Sequence, residues 1–375
     1  MSTQRIRAFG GPRFYLQGPG ALREIGGIVG AITADAALVA DADMLPLHGP
    51  AVESALRGAG VCMESAALRG EVSDAAVARL DDALPPTAGC VIGLGGGRSI
   101  DAAKAVALRR GLPVVTVPTA ASNDSPTSRI FVMYREDGAL DRVERLPRNP
   151  DAVLVDTEIL LRAPPALLRA GIGDGLTKRF EAEGCAAVDG LTPFGTPPLR
   201  TGGVIARYAF ETLFRHAPQA MEDAAAGRLT DAFEATVEAV VLMSGLGFEN
   251  GGLSLAHSLT RGFTRVAASA HCPHGEQVAF GLLVQLQLTP GGAAQLDALL
   301  PFYARIGLPR RLAGIGLSPE DDATLNRVAE ATLTAPHITH LAGPPLTAAA
   351  IRDAMIAVDD RAARAGATTI IQEPA

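Results

Sequence analysis

Tryptophan is absent from this chain, aromatic residues make up only 4% of it, and it carries no basic tract. Nucleic-acid recognition relies on clustered Lys and Arg, so that class has little support, and a net charge of −7 points the same way. Cysteine is scarce too: Cys62, Cys90, Cys185 and Cys272 are scattered without a pairing pattern, which fits a reducing compartment. No run approaches the ~20 apolar residues of a membrane-spanning helix, and the first twenty residues hold no signal-peptide core. A cytoplasmic location is the expectation.

What is present is an apolar content of 48% and a charged content of 19% across 375 residues, enough for two domains with cores of their own. Residues 1–161 alternate short apolar runs with amphipathic stretches. "AALVAD" (36–41), "GCVIGLGGG" (89–97), "PVVTVPTAASNDS" (113–125) and "DAVLVDTEIL" (151–160) read as strands, the first and second followed by helical patterns at 45–60 and 99–111. That order predicts βαβ units and a mostly parallel, Rossmann-like sheet. From about residue 162 the apolar residues recur at three and four and strand-like alternation almost vanishes, so residues 162–375 are expected to form an all-α domain.

Chemistry concentrates in three places. Gly95, Gly96 and Gly97 stand between a predicted strand and a predicted helix, where backbone N–H groups and the helix dipole favour phosphate. The spacing is not G-x-G-x-x-G, and a plain tight turn remains an equal alternative. Asp41, at the carboxyl end of a strand, is placed either to accept ribose hydroxyls, which favours NAD over NADP, or to cap a helix. The loop 118–130, with Thr119, Ser122, Asn123, Asp124, Ser125, Thr127 and Ser128, leaves a strand at the same edge of the sheet.

The third place is "HSLTRGFTRVAASAHCPHGE" (257–276), which holds three of the seven histidines, His257, His271 and His274. Histidine is the most frequent metal-ligating side chain, and a carboxylate with two imidazoles and an open position describes a catalytic zinc site. Asp174, flanked by glycines in "AGIGDGLTKRF", is the candidate carboxylate, with a helix N-cap as the alternative; a lone histidine such as His257 in an apolar helix is more often a core residue. Glu276 is placed to serve a cap or an imidazole. His216, His337 and His340 read as loop or surface residues.

These motifs together resemble the glycerol dehydrogenase group of the metal-dependent (group III, iron-containing) alcohol dehydrogenases. "GLGGGRSIDAAKAVA", "PTAASNDSPTSRIFVMY", "AGIGDGLTKRFEA", "AHSLTRGFT" and "HCPHGEQVAFGLLVQL" carry the resemblance, in order and nearly end to end. It implies the dehydroquinate-synthase-like fold, with an N-terminal parallel-sheet domain and a helical domain, and NAD-dependent oxidation of a secondary alcohol in a small polyol or diol such as glycerol. Asp174, His257 and His274 would be the metal ligands. Gly95, Gly96, Gly97, Arg98, Thr119, Ser122, Ser128, Ile130 and Tyr134 would line the dinucleotide with Asp41. Asp124 would touch substrate and nicotinamide, and Asp124 or His271 would pass the proton to solvent. The four-ligand iron branch has a further histidine four residues after the aspartate; here that position is Lys178, so Zn²⁺ fits better than Fe²⁺. Arg98 and Asn123 depart from the family pattern and leave the substrate open. The remaining alternatives are a lyase like 3-dehydroquinate synthase, to which "HGEQVAFG" is also similar, and a dehydrogenase of a 2-hydroxy acid or aminocyclitol. The expected partners are a small-molecule alcohol and further copies of the chain, with neither nucleic acid nor membrane.

Overall fold

The computed structural model describes residues 6–136 and 138–370. They form two compact units, one built from Gly10–Leu168 with Glu222–Gly245 and the other from residues 6–9, 169–221 and 246–370.

The first unit is an α/β layer structure. Six strands, β1 (Tyr15–Gly18), β2 (Asp35–Asp41), β3 (Cys62–Leu68), β4 (Cys90–Gly95), β5 (Val114–Pro118) and β8 (Ala152–Asp156), make one all-parallel sheet in the order β1-β8-β5-β4-β2-β3. Two more, β6 (Ile130–Tyr134) and β7 (Leu140–Arg145), pair antiparallel as a separate hairpin. The helices α1 (Ile25–Gly30), α2 (Met44–Gly58), α3 (Asp74–Ala83), α4 (Gly97–Arg110) and α5 (Thr157–Leu161) alternate with the strands. β2, β4, β5 and β8 are buried almost throughout, as strands covered on both faces must be. The core on one face joins Val39 and Val91 of the sheet to Val77 and Leu80 of α3 and Val106 of α4.

The four strands read from sequence are present. β1, β3 and the β6–β7 hairpin were not anticipated: β1 has four half-buried residues, and β3 runs with most of its residues exposed, so neither shows a continuous apolar run. The chain order reverses between β2 and β4, since β2 leads outward to β3 while β4 leads the other way to β5. Such a switch point leaves a crevice at the carboxyl ends of the two strands. Asp41 ends β2 and Gly95 ends β4, one step beyond the paired Ala40 and Leu94.

The second unit is helical among its described residues. It contains most of α6 (Pro165–Ala187) and of α7 (Arg200–Ala226), followed, after α8 (Asp231–Glu238) in the first unit, by most of α9 (Ser244–Gly251) and by α10 (Leu255–Phe263), α11 (Ala267–Ala270), α12 (His274–Leu288), α13 (Ala293–Ile306), α14 (Asp322–Thr332) and α15 (Ala348–Ile370). α12 is buried on nearly every side from Gly275 to Leu286, which makes it the axis of the unit. No single helix among the described residues is long and apolar enough to cross a membrane.

Candidate metal and dinucleotide sites

Asp174 is not at a helix start. It lies in the middle of α6, and the glycine before it has a packing role rather than a capping one. A Cβ on Gly173 would stand 2.6 Å from the carbonyl oxygen of Gly275, and one on Gly275 would stand 1.8 Å from that of Ala170. Only glycine at both positions lets α6 and α12 approach backbone to backbone. The crossing puts Asp174 beside His274, the first residue of α12, while α10 delivers His257. One ligand atom from each of these three side chains lies within 4.8 Å of the others. The arginine of α6 at position 169 pins the same crossing from outside: its Nε and an Nη each lie 2.8 Å from Glu276 Oε1, so Glu276 serves this pair rather than an imidazole.

A second carboxylate, not anticipated from the sequence, completes the arrangement. Glu181 is fully buried and accepts hydrogen bonds from His257 Nδ1 at 2.6 Å, from the backbone N–H groups of Ser254 and His257 at 3.0 Å each, and from Thr177 Oγ1 at 3.1 Å. Holding Nδ1 this way leaves His257 Nε2 facing Asp174 Oδ1 at 3.3 Å, the second-sphere carboxylate arrangement typical of metal-ligating histidines. Spacing gave a usable signal: Asp174, Lys178 and Glu181 stand at i, i+4 and i+7, one polar stripe on an otherwise buried helix.

Lys178 is also buried, and its Nζ donates to Asp174 Oδ1 at 2.7 Å and lies 3.3 Å from His257 Nε2. The electrostatics follow from these contacts. Burial alone would raise the carboxyl pKa values, but Lys178, His257 and His274 outweigh it at Asp174 and hold that group well below the usual range. Burial is likewise overcome at Glu181, chiefly by His257, which brings it down to about 2. For His257 burial disfavours the charge, yet the Glu181 and Asp174 carboxylates prevail over it and Lys178, lifting its pKa to about 9. One carboxylate and two imidazoles held this close, with one imidazole oriented by a further carboxylate, fit a divalent metal ion.

His271 is exposed at the carboxyl end of α11 and is not part of this group. His340 proves to be buried, with Nδ1 2.8 Å from the Leu253 carbonyl oxygen, and the His337 ring lies tilted against it, its pKa lowered to about 4 by burial and by His340. Both lie in the loop between α14 and α15, as their sequence context suggests, but neither is exposed, and His216 lies within α7.

In the first unit, Gly95 closes β4 with φ of +138°, and a Cβ there would meet the Ser99 hydroxyl at 2.6 Å. Glycine is required at this position. Gly96 then caps α4, whose first turn carries amides with no intrahelical acceptor. Asp41 is half-buried and its carboxylate accepts from the Asp43 N–H at 2.9 Å. Thr119 is buried and bonds through its N–H to the Gly95 carbonyl at 3.0 Å, joining the loop 118–130 to the glycine turn. The loop is braced from below by the buried pair Lys104 and Asp101. Lys104 Nζ donates to the carbonyl oxygens of Ser125 and Ile130, and Asp101 accepts from Ser125 Oγ and Val132 N. Ser122 is half-buried; Ser128 is buried and accepts from Ile130 N at 2.9 Å. Tyr134 is half-buried against the core, and burial with the nearby Asp101 and Glu71 charges pushes its pKa up to about 12. Arg98 is exposed and pairs with Glu71 at 3.2 Å. Asp124 accepts from Ser244 Oγ at 3.2 Å.

Comparison with known proteins identifies the family of the chain. Residues 17–164 match the family model for iron-containing alcohol dehydrogenase. The chain is 38% identical over 325 residues to a glycerol dehydrogenase of Pseudomonas putida, covering 86% of this chain and 89% of the relative. It belongs to the iron-containing alcohol dehydrogenase family. It is therefore an oxidoreductase, and NAD and a divalent metal are consistent with the family. Another relative, a glycolaldehyde reductase of Halobacterium salinarum, is 36% identical over 357 residues, covering 95% of this chain and 98% of its own. Among solved structures, glycerol dehydrogenase of Schizosaccharomyces pombe superposes with a TM-score of 0.92 at 33% identity, covering 99% of this chain and 94% of that one. The expected fold class, a parallel-sheet N-terminal part and a helical C-terminal part, is that of this family member.

Proposed function

We propose that this chain is an NAD- and zinc-dependent dehydrogenase of the secondary alcohol in a small polyol or diol, with glycerol to dihydroxyacetone as the reference reaction. The observation that carries the reading is the Asp174, His257 and His274 group, in a chain aligned with glycerol dehydrogenases over most of its length. When bound, a divalent ion supplies a Lewis acid that lowers the pKa of a ligated hydroxyl, and NAD supplies the hydride acceptor. Asp174, His257 and His274 hold the ion, and Glu181 keeps His257 Nε2 turned toward it.

In the sheet unit, the first-turn amides of α4 with Gly95, Gly96 and Gly97 take the pyrophosphate and Asp41 takes the ribose hydroxyls. Arg98, Thr119, Ser122, Ser128, Ile130 and Tyr134 line the dinucleotide. Asp124, oriented by Ser244, touches substrate, and it and His271 are the candidates to carry the proton to solvent. In this reading residues 1–161 form the dinucleotide domain and 162–375 the metal domain. A homo-oligomer belongs to the same proposal, supported by Val204 and Tyr208, one turn apart on α7 and more than half exposed; so does a cytoplasmic location, supported by four free cysteines. The lyase alternative is not carried forward, because the relatives bear dehydrogenase and reductase names.

The test is a panel of glycerol, 1,2-propanediol, glycolaldehyde, 2-hydroxy acids and aminocyclitols followed at the NADH absorbance, with and without chelator. Net NADH formation from vicinal diols, lost on chelation and restored by Zn²⁺, is the expected result. Turnover indifferent to chelation after exhaustive metal removal refutes the metal assignment, and activity confined to the acids or cyclitols refutes the substrate class.

A further inference from the structure

Where the four-ligand branch of the family places a fourth imidazole, this chain places an ammonium, and the ammonium is inside the ligand group rather than beside it. Lys178 is buried, its Nζ is 2.7 Å from Asp174 Oδ1 and 3.3 Å from His257 Nε2, and it lies over the face of Phe248, 5.5 Å from the ring centroid. Asp174 is itself buried, so without a metal its charge has Lys178 as its close partner from the same helix, one turn on. The lone pair of His257 Nε2 is engaged as well. It either accepts from Lys178 or carries a proton toward Asp174 Oδ1 at 3.3 Å, and in neither form is it left for an ion.

We propose that Lys178 is a resident cation of the metal site, an intramolecular competitor that occupies the Asp174–His257 pair and must be displaced for a divalent ion to bind. The inference rests on the assignment of Asp174, His257 and His274 as the ligands. Two cations drawn to one buried carboxylate oxygen repel each other in a medium that screens them poorly. The ammonium thus keeps the metal-free chain folded by neutralising Asp174, and it weakens the affinity for the ion that replaces it. Its long stem allows the head to swing out without a change in the backbone.

The experiment is a Zn²⁺ titration by calorimetry of the metal-free full chain, wild type against Lys178→Met and Lys178→Gln, at one pH and ionic strength, with melting temperatures in parallel. The expected result is one site per chain that binds Zn²⁺ at least about tenfold more tightly in both variants, with a lower metal-free melting temperature and a larger rise on adding Zn²⁺. Equal or weaker binding in the variants overturns the inference and leaves the ligand assignment standing. Absence of binding in all three proteins overturns both. Should neither variant fold, the wild type with Zn²⁺ bound decides in a crystal: Nζ withdrawn from Asp174 Oδ1 supports the displacement, and Nζ still bonded to it beside a bound ion overturns it.

Discussion

Replacing Gly275 with alanine puts a methyl carbon 1.8 Å from the Ala170 carbonyl oxygen and 2.6 Å from its carbonyl carbon. Both obstacles are backbone of α6, so no side-chain rotation relieves the clash. Ordinary van der Waals contact begins near 3.4 Å, so α6 and α12 must separate by roughly 1.6 Å at this point. His274 is the residue before Gly275, and Asp174 is one turn of α6 beyond Ala170, so the separation falls between two proposed ligands. Metal–ligand distances tolerate about 0.2 Å, so the displacement removes either His274 or Asp174 from coordination. Outer-sphere changes already cost about 10–100-fold in metal affinity, so loss of an inner ligand is expected to exceed 100-fold. Overpacking adds a stability cost on the order of 1–3 kcal/mol. Zn²⁺ titration by calorimetry reads the first effect and urea unfolding of the metal-free chain the second. A Gly275→Ala protein that binds Zn²⁺ within about twofold of wild type would falsify the claim that this glycine contact sets the ligand geometry.

Three other outcomes follow from the same contacts. Asp174→Asn and His274→Ala should each abolish turnover, while NADH affinity measured by fluorescence quenching stays within about threefold of wild type; a parallel collapse of NADH binding counts against assigning the two functions to separate residue sets. Glu181→Gln removes the charge that holds His257 Nδ1 and should weaken Zn²⁺ binding about 10–100-fold, and an unchanged dissociation constant would remove Glu181 from the site. Burial raises Cys90 and Cys272 to about 12 and Cys185 to about 11, so these thiols stay protonated through pH 8 and only approach the thiolate above pH 10. Exposed Cys62 should be the one thiol that reacts rapidly with a chromogenic disulfide at pH 8 in the native chain, and a fast count of three or four contradicts the burial.

The legible part of this chain was what obeys a local period. The buried strands β2, β4, β5 and β8 announce themselves as continuous apolar runs, and the helical texture after residue 162 persists through α15. His274 reads as a helix start and is one. What escaped depends on partners far along the chain. β1 is a strand because β8, about 140 residues later, offers it an edge, not because its four residues favour one. Gly173 suggests a break in α6 when only neighbours are considered, and the reason for it, the carbonyl of Gly275, lies about 100 residues away. Glu181 shows locally only as the third member of a polar stripe with Asp174 and Lys178, and its role comes from His257 and Ser254, more than 70 residues on. Lys178 was visible as a substitution but not as an occupant of the ligand group, which only the packing of α6 against α10 discloses.

The first unit closes on itself through a segment that arrives late. Glu234, in the returning stretch Glu222–Gly245, accepts from Gln17 of β1 and from Thr157 at the start of α5, just after β8, while Thr127 of the loop 118–130 donates to the Val241 carbonyl. On the ribosome, then, the sheet is synthesised by residue 156 but its edge strand and its ligand loop wait for another 80 or so residues before their last hydrogen bonds form. A fragment ending at Leu168 would expose Thr157, Gln17 and Thr127 without those acceptors. The first unit is therefore complete only once the chain has passed residue 245, and a clone meant to hold this unit must include the returning stretch Glu222–Gly245.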